Sequence, residues 1–504
     1  MTLLASGVLE RAATIGPVDR RLFGSFVEHM GRSVYTGIFE PGHPTATPAG
    51  FRGDVLDLVR ELGVTIVRYP GGNFVSGYRW EDGVGPVAQR PARLNLAWHT
   101  LEPNEFGTDE FVRWCAEAGV EPMLAVNLGT RGVQEAVDLL EYANHPSGTA
   151  LSDARIANGS ADPHAVRMWC LGNEMDGHWQ LGHKTAPEYG RLAAETARAM
   201  RQLDPSVELV AVGSSGPWMP TYIEWERAVL AETSDLVDAI SLHNYYQEDP
   251  ADLPSFLASA VDLDRFIERV AEVVDEVGAE HGATRRVKLS VDEWNVTRSN
   301  GAPPPADWSI VQRMGEDAYT AADAVVVGSL LITLVRHADR VGSACLAQLV
   351  NTIAPIRTEP GGPAWRQTIF HPFSLAAHHA RGQALAVPLS VDALPTAKYG
   401  EVAPVDAVAT VDDTTGDLSL FVVNRHPTEA VDLTIDLRSW PDELRLGETL
   451  VIHDDDPHAV NTETDPDRVI PRPLARASLE DGCLRLALPA ISWLATTIDL
   501  GRSR

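Results

Sequence analysis

Eight short apolar runs alternate with helical patterns between residues 20 and 380, and this alternation constrains the fold more than any other feature of the chain. The runs are continuously apolar, as expected for parallel strands that are buried on both faces. The predicted strands cover residues 22–28, 64–69, 122–127, 166–172, 207–212, 237–242, 287–292 and 342–348. Eight such strands alternating with helices predict a (β/α)8 TIM barrel, an α/β fold.

The segments between these strands show the period of helices. In the clearest one, apolar residues recur at three- and four-residue spacing from Leu263 to Val277. Further helices are predicted over residues 109–118, 187–203 and 317–335. A doubly wound open sheet is the alternative arrangement of these elements. No G-x-G-x-x-G motif follows the first strand, and this weakens the alternative.

The pattern of apolar and polar residues changes after about residue 382. Residues 431–437 read Val-Asp-Leu-Thr-Ile-Asp-Leu, an alternation typical of a strand with one buried face. Residues 405–411 and 418–423 flank a polar turn from Asp412 to Asp417 and predict a hairpin. We predict a C-terminal antiparallel, jelly-roll-like β-sandwich of residues 1–17 plus 382–504, beside a catalytic barrel of residues 18–381.

The charge of the chain limits its partners. It has 70 acidic against 41 basic residues and a formal net charge of −29. A nucleic-acid surface needs a basic face, and anionic lipid attracts one, so we expect neither nucleic acid nor membrane as a partner. The four cysteines, Cys115, Cys170, Cys345 and Cys483, form no C-x-x-C pair. This favours free thiols in a reducing compartment over a disulfide or metal framework.

The N-terminal residues indicate where the protein acts. They show neither a basic segment nor a sustained apolar stretch, so no signal peptide is predicted. No run reaches the roughly 18 apolar residues of a transmembrane helix. We therefore expect a cytoplasmic protein.

Polar and aromatic side chains stand where the predicted strands end. Carboxyl ends of barrel strands meet on one face, so these side chains should lie close together. The set comprises Glu28-His29, residues 68–73, Asn127, Asn173-Glu174, residues 243–246, residues 293–295, Gln348 and Asn351. Carboxylates and amides bond hydroxyl groups, and aromatic faces pack on C–H surfaces, so the set suits a hydroxyl-rich ligand.

Each of these side chains also has a structural interpretation. Glu28 could serve as a helix cap or an ion-pair acid, Trp98 and Trp179 could be core or surface anchors, and Gly71-Gly72 could be only a turn. Polar groups at seven of eight strand ends are nevertheless hard to explain by structure alone.

Two glutamates stand out in this set. Glu174 and Glu293 each lie where an apolar strand emerges. Glycoside hydrolysis needs two carboxyl groups that face one sugar, and a barrel brings distant strand ends to one face. The pair therefore predicts a glycoside hydrolase.

The chain resembles the α-L-arabinofuranosidases of glycoside hydrolase family 51, in particular the intracellular exo-acting type. The similarity runs from about residue 15 to the C-terminus. It is densest in six stretches, which are residues 24–29 (GSFVEH), 68–74 (RYPGGNF), 170–177 (CLGNEMDG), 241–246 (SLHNYY), 292–296 (DEWNV) and 347–351 (AQLVN). The glycine-asparagine-glutamate turn alone is shared by many barrel glycosidases, whereas the whole set in this order is specific.

The resemblance implies a role for each matched residue. It implies that Glu174 is the general acid/base and Glu293 the nucleophile of a retaining, double-displacement enzyme that releases terminal α-L-arabinofuranose from arabinan- or arabinoxylan-derived oligosaccharides. The implied substrate-binding residues are Glu28, Asn73, Trp98, Asn173, Trp179, His243, Tyr245 and Gln348. It further implies no cofactor or metal, and a homo-oligomer, commonly a hexamer.

The chain departs from the family pattern at two positions. Position 297 is Thr where relatives often have an aromatic residue, and position 244 is Asn where Gln is frequent. Both departures bear on the leaving-group side. A barrel β-glycosidase of other specificity, such as a β-xylosidase or an endo-β-glucanase, and a non-catalytic carbohydrate-binding protein remain as alternatives.

Overall fold

Eight parallel strands close into a barrel in the computed structural model, which describes residues 2–298, 307–412, 414–440 and 443–501. Each strand pairs in parallel with its neighbour, and the eighth returns to the first. The barrel strands are Gly24–Phe26, Ile66–Tyr69, Glu121–Ala125, Met168–Cys170, Glu208–Ala211, Ala239–Tyr246, Lys288–Val296 and Val341–Leu346. All eight overlap the predicted runs, so the predicted barrel is confirmed and the open sheet is wrong.

Helices cover the outside of the barrel. In the described part of the chain the α-helices are Gly53–Leu62, Thr108–Ala118, Val133–Asn144, Ala150–Ala157, Ala186–Leu203, Glu224–Thr233, Leu253–Leu257, Ala260–His281, Ala321–Arg336 and Phe370–His379. Short 3-10 helices span Arg20–Phe23, Asn73–Gly77, Trp80–Gly83 and Val87–Gln89. Among these described residues, no helix combines the length and apolar character that crossing a membrane requires.

One helix begins later than predicted. The sequence favoured a start at residue 317, but the helix starts at Ala321. Thr320 is its N-cap, because the Thr320 hydroxyl accepts from the Asp323 N–H and the Asp323 carboxylate accepts from the Thr320 N–H. This reciprocal pair satisfies two backbone donors and fixes the helix start.

Two sheets lie face to face in the C-terminal part. The seven-stranded sheet contains, in spatial order, Thr14–Pro17, Gln383–Ala386, Val405–Asp412, Asp417–Asn424, Ser492–Asp499, Arg445–Ile452 and Arg472–Pro473. The five-stranded sheet contains Leu389–Ser390, Leu3–Val8, Val431–Asp436, Cys483–Leu488 and Ala477–Glu480. Short two-stranded pairs join Arg93–Asn95 to Thr100–Glu102, Ile356–Thr358 to Ala364–Arg366, and Leu394–Thr396 to Gly400–Val402.

The N-terminal segment contributes two strands to these sheets. Thr14–Pro17 pairs antiparallel with Gln383–Ala386, and Leu3–Val8 pairs in parallel with Val431–Asp436. The predicted C-terminal sandwich of antiparallel strands is confirmed, and the N-terminal strand Leu3–Val8 joins it through a parallel pair. The predicted hairpin is present as Val405–Asp412 and Asp417–Asn424, although Asp413 in its turn lies outside the described residues. The exact domain bounds, 18–381 and 1–17 with 382–504, stay a prediction.

Separate apolar cores fill the barrel and the sandwich. Inside the barrel, Phe26, Met123, Met168 and Cys345 are among the residues that form an apolar floor. A second core lies between the two sheets, and a third, larger one surrounds the barrel and reaches Trp493 of the sandwich. The floor matters for function because it leaves the carboxyl ends of the strands as the open end of the barrel.

Candidate active site

A cavity of about 440 Å³ lies at the carboxyl ends of the barrel strands. Seven of the ten site residues predicted from the sequence line it, namely Glu28, Asn73, Trp98, Glu174, Tyr245, Glu293 and Gln348. The other three, Asn173, Trp179 and His243, contact those residues directly or through Arg68. Apolar side chains, among them Phe26, Met30 and Met314, complete the wall.

Glu174 and Glu293 face each other across this cavity. Glu174 follows the fourth strand in a turn where its own φ is +42° and that of Gly172 is +102°. Glu293 lies within the seventh strand. A carboxylate oxygen of each lies within 4.8 Å of the other. Two carboxyl groups at this separation can act on the same bond of one bound sugar.

Glu293 is held by two donors. The Arg68 Nη1 donates to its Oε1 at 2.7 Å, and the Tyr245 hydroxyl donates to its Oε2 at 2.8 Å. Arg68 also donates through Nη2 to Asn173 at 2.6 Å. Because a cation and a hydroxyl bond the two oxygens of this carboxylate, its orientation is fixed.

Glu174 has a different environment. Burial and the charge of Glu293 raise its pKa, against the lowering effect of two hydrogen bonds. The Trp179 indole donates to its Oε2 at 2.6 Å, and the His243 Nδ1 lies 3.0 Å from its Oε1. A raised pKa keeps a carboxyl group protonated toward neutral pH, as a proton donor requires.

His243 connects Glu174 to a buried acid. Its Nε2 lies 3.0 Å from Asp292 Oδ1. Burial alone would lower the pKa of His243, but the charge of Glu293 and the hydrogen bonds to Asp292 and Glu174 raise it to about 10. The pKa of Asp292 is lowered despite burial, because Arg68 and His243 flank it. His243 is therefore a cation at neutral pH that orients Glu174.

Glu28, which also lines the cavity, forms a separate hydrogen-bonded cluster. Its carboxylate accepts from the Phe74 N–H at 2.9 Å, the Trp98 indole at 2.8 Å and the Gln348 amide at 3.2 Å. Burial and the nearby charge of Glu293 raise its pKa to about 8. At position 72, φ is +28°, and a Cβ there would collide with this carboxylate. The backbone can therefore lie this close to Glu28 only if residue 72 is glycine.

Other candidates from the strand ends lie outside the cavity. His29 bonds Tyr69 and Glu102 in the core, and Asn351 bonds backbone and side-chain groups of its own surroundings. Asn127 likewise bonds the Tyr78 carbonyl. Each is engaged by protein partners, so these polar groups support the surrounding structure.

The two departures from the family pattern differ in position. Thr297 lines the cavity. Asn244 points elsewhere, since its amide donates to Asp262 and to the Tyr246 hydroxyl. Only the change at position 297 therefore alters the cavity wall directly.

Arg68 and Asp292 received no role from the sequence, although both stood in quoted motifs. Arg68 is about 1% exposed and contacts Glu293, Asn173 and Asp292. The available signal was a lone arginine in an apolar strand, because a buried charge needs buried partners.

Three side chains offer the spacing of a metal site. Ligand atoms of Glu174, His243 and Glu293 all lie within 4.8 Å of one another. Each is already engaged by hydrogen-bond partners, namely Trp179, Asp292, Arg68 and Tyr245. A saturated network of this kind is suited to holding and moving protons.

Two protein-family models match the chain. The α-L-arabinofuranosidase 1 domain matches residues 58–267, and the α-L-arabinofuranosidase C-terminal domain matches residues 292–492. Together they cover most of the barrel and most of the sandwich.

Individual relatives are similar over almost the whole chain. An intracellular exo-α-(1→5)-L-arabinofuranosidase of Streptomyces lividans is 58% identical, over 96% of this chain and 74% of the relative. An exo-α-(1→6)-L-arabinofuranosidase of Bifidobacterium longum is 51% identical, over 97% of this chain and 96% of the relative. The solved structure of a family 51 α-L-arabinofuranosidase from Bifidobacterium longum has a TM-score of 0.95 at 49% identity, and covers 99% of this chain and 100% of that one.

The barrel and its two adjacent carboxyl groups define the protein as a glycoside hydrolase. The matches extend this assignment from the class to the family. The chain belongs to the α-L-arabinofuranosidases of glycoside hydrolase family 51. The family resemblance noted in the sequence is thereby confirmed.

Proposed function

We propose that this enzyme releases terminal α-L-arabinofuranose with retention of configuration, through Glu293 as nucleophile and Glu174 as general acid/base. The approach of their carboxylate oxygens to within 4.8 Å carries this proposal. Retaining glycosidases hold their carboxyl groups roughly 5–5.5 Å apart, whereas inverting ones leave room for a water at about 6.5–9.5 Å.

In the first step, Glu293 attacks the anomeric carbon while Glu174 protonates the departing oxygen. The C–O bond to the leaving group breaks, and an ester bond from Glu293 to the sugar forms. Arg68 and Tyr245 support the attack, because they hold both Glu293 oxygens and orient the free lone pairs toward the cavity. The proton on Glu174 moves to the leaving group, which departs as an alcohol.

In the second step, Glu174 is a carboxylate and accepts a proton from water. The water attacks the anomeric carbon from the side that the leaving group vacated, and the ester to Glu293 breaks. His243, positively charged beside Glu174, stabilises the carboxylate in this step. Arabinose leaves and both carboxyl groups return to their initial protonation states.

The ring itself is held by the remaining polar groups. We assign this role to Glu28, Asn73, Asn173, Tyr245 and Gln348, with Trp98 and Trp179 as aromatic walls. The apolar floor that includes Phe26 closes the cavity below. Exo action is supported by the names of the relatives, which are exo-α-L-arabinofuranosidases.

The direct test compares aryl glycosides. We expect hydrolysis of an aryl α-L-arabinofuranoside to exceed that of the aryl β-xylopyranoside and β-glucopyranoside by orders of magnitude in kcat/KM. Faster turnover of either β-glycoside would mean that the same two glutamates serve a β-xylosidase or a glucanase. No turnover of any of the three would favour a carbohydrate-binding protein.

The natural substrate is proposed at a finer level. We propose α-(1→5)-linked oligosaccharides derived from arabinan, because the name of the 58% identical relative specifies that linkage. The Bifidobacterium longum relative is named for the (1→6) linkage, so the two linkages must be compared directly. Faster release from a (1→6)-linked disaccharide, or from an arabinose-substituted xylo-oligosaccharide, would contradict this preference.

Location and assembly complete the proposal. We propose a cytoplasmic enzyme that acts on imported oligosaccharides, supported by the intracellular naming of relatives. We also propose a homo-oligomer, a hexamer by family resemblance. Light scattering at micromolar concentration checks the assembly, and a stable monomer would contradict it.

A further inference from the structure

The fifth barrel strand, Glu208–Ala211, was the one strand end where the sequence showed no polar candidate. The loop that follows it carries Trp218, whose side chain is 62% exposed. An exposed tryptophan at this end of the barrel is notable, because large apolar side chains at a surface commonly mark binding sites. Its neighbour is Trp179, at a ring-centroid distance of 5.8 Å and an interplanar angle of 32°.

Both indole rings are seated on glycines of their own turns. A Cβ at Gly177 would collide with the ring of Trp179, and a Cβ at Gly216 would collide with the ring of Trp218. The rings therefore rest directly on backbone. Exposed side chains held in this way lose little conformational freedom when a ligand binds.

The two loops are also joined to each other. The Asp176 carboxylate, three residues before Trp179, accepts from the Ser215 N–H and the Ser215 hydroxyl. Ser215 lies three residues before Trp218. These bonds fix the relative position of the two rings, so they act as one surface.

The surface begins at the proton donor. The Trp179 indole donates to the Oε2 of Glu174 at 2.6 Å. On the function proposed above, Glu174 protonates the oxygen of the leaving group, so the leaving group emerges beside Trp179. The exposed ring of Trp218 lies next to Trp179, with the ring centroids 5.8 Å apart.

We propose that Trp218 is a second leaving-group subsite, which stacks the second sugar of the leaving group while the first lies against Trp179. The ligand is an uncharged, hydroxyl-rich ring, whose C–H face packs on the indole face. A single ring is far smaller than the area that a stable protein interface buries, which disfavours a protein partner at this position. This inference rests on the proposed function and extends it to substrate length.

The test measures kcat/KM on three substrates. An aryl α-L-arabinofuranoside has no leaving-group sugar, α-(1→5)-arabinobiose has one, and the corresponding triose has two. Trp218→Ala should lower kcat/KM for the triose by about tenfold, since the lost contact contributes binding energy only when a second sugar is present. The aryl substrate and the biose should change by less than about twofold.

Two further variants separate stacking from general damage. Trp218→Phe keeps an aromatic face and should retain most of the triose activity. Gly216→Ala keeps the tryptophan but displaces its ring, so it should reproduce the selective triose defect. Leu4→Ala removes an exposed apolar side chain, 78% exposed on a sandwich strand, and should leave all three substrates unchanged.

The outcomes are distinct for the two proposals. Wild-type failure on the aryl α-L-arabinofuranoside would overturn the proposed function. If the wild type acts on it, an equal change of all three substrates in Trp218→Ala overturns the subsite alone, as does an equal loss for biose and triose. A change of oligomeric state with unaltered triose preference would also overturn it, because Trp218 would then belong to an interface.

Discussion

Arg68 is the residue that joins the parts of the active site. It is buried, it lies over the ring of Phe26 at 4.9 Å, and it donates to both Glu293 and Asn173. Those partners are 225 and 105 residues away in the sequence. A buried cation is tolerated only with such partners. Removal of its charged partner would leave the Arg68 guanidinium uncompensated.

Glu28 gives a prediction about pH. Its pKa is raised to about 8 in the folded protein by burial, against an ordinary value of 4.5. Between these values the folded state binds the extra proton, so the contribution of Glu28 to stability falls as pH rises through this window. Glu28→Gln cannot titrate and removes this contribution. Relative to wild type, the variant should gain on the order of 3–5 kcal/mol in unfolding free energy between pH 5 and pH 9.

Urea unfolding of both proteins at the two pH values measures this difference directly. His243 and the other titrating groups remain in both proteins, so their contribution cancels to a first approximation. Parallel pH profiles for the two proteins would contradict the raised pKa of Glu28.

At the residue scale, the sequence predicted which strand ends carry polar groups. Seven of the ten predicted residues line one cavity because strand ends of a barrel converge. The sequence could not show the pairing of Arg68 with Glu293 or of His243 with Asp292. Those pairs depend on the register between strands, which the periodicity of single strands does not contain.

At the element scale, the barrel strands were predictable because each is a continuous apolar run buried on both faces. The start of the helix Ala321–Arg336 was placed four residues too early, although Thr320-x-x-Asp323 is a capping-box signal. The apolar residues before the cap lie in the segment that leads to the helix and are not part of the helix. Cap chemistry, in this case, decides the boundary better than hydrophobic period.

This cap gives a prediction for a single element. Thr320→Ala removes the acceptor for the Asp323 N–H and should lower the unfolding free energy by about 1 kcal/mol. Thr320→Ser keeps the hydroxyl and should remain close to wild type. Chemical denaturation of both variants measures the effect, and equal stability of alanine and serine variants would show that the cap contributes nothing.

At the scale of the whole molecule, the same helix joins the two parts of the fold. Every residue from Ala321 to Val335 is buried. Gly328 lets the ring of Trp493, from the sandwich strand Ser492–Asp499, lie directly on the helix. The sequence showed the helix but not this contact. Nor did it show which strands the N-terminal residues join, because such partners lie hundreds of residues away.

This shared contact predicts cooperative unfolding. Trp493 is fully buried and stacks with Phe421, so Trp493→Ala should cost about 3–5 kcal/mol. Calorimetry should show one transition at lower temperature, and loss of activity should follow it although the cavity is distant. Trp493→Phe should have a smaller effect. A second transition, with activity lost only at the wild-type temperature, would contradict coupling of the two parts.

Azide rescue distinguishes the role of Glu293 as nucleophile from that of Glu174 as general acid/base. The substrate is an aryl α-L-arabinofuranoside with an acidic leaving group. In Glu174→Ala the glycosyl-enzyme forms without a proton donor but lacks the base for its hydrolysis, so it accumulates. Azide needs no base, enters from the vacated face and should give the α-azide, with the configuration retained.

In Glu293→Ala, azide can occupy the space of the missing carboxylate and attack the opposite face directly. We therefore expect the inverted β-azide from Glu293→Ala and the retained α-azide from Glu174→Ala, identified by NMR of the products. The opposite pairing of products would reverse the two roles. Inverted product from both variants would contradict the covalent intermediate and with it the retaining mechanism.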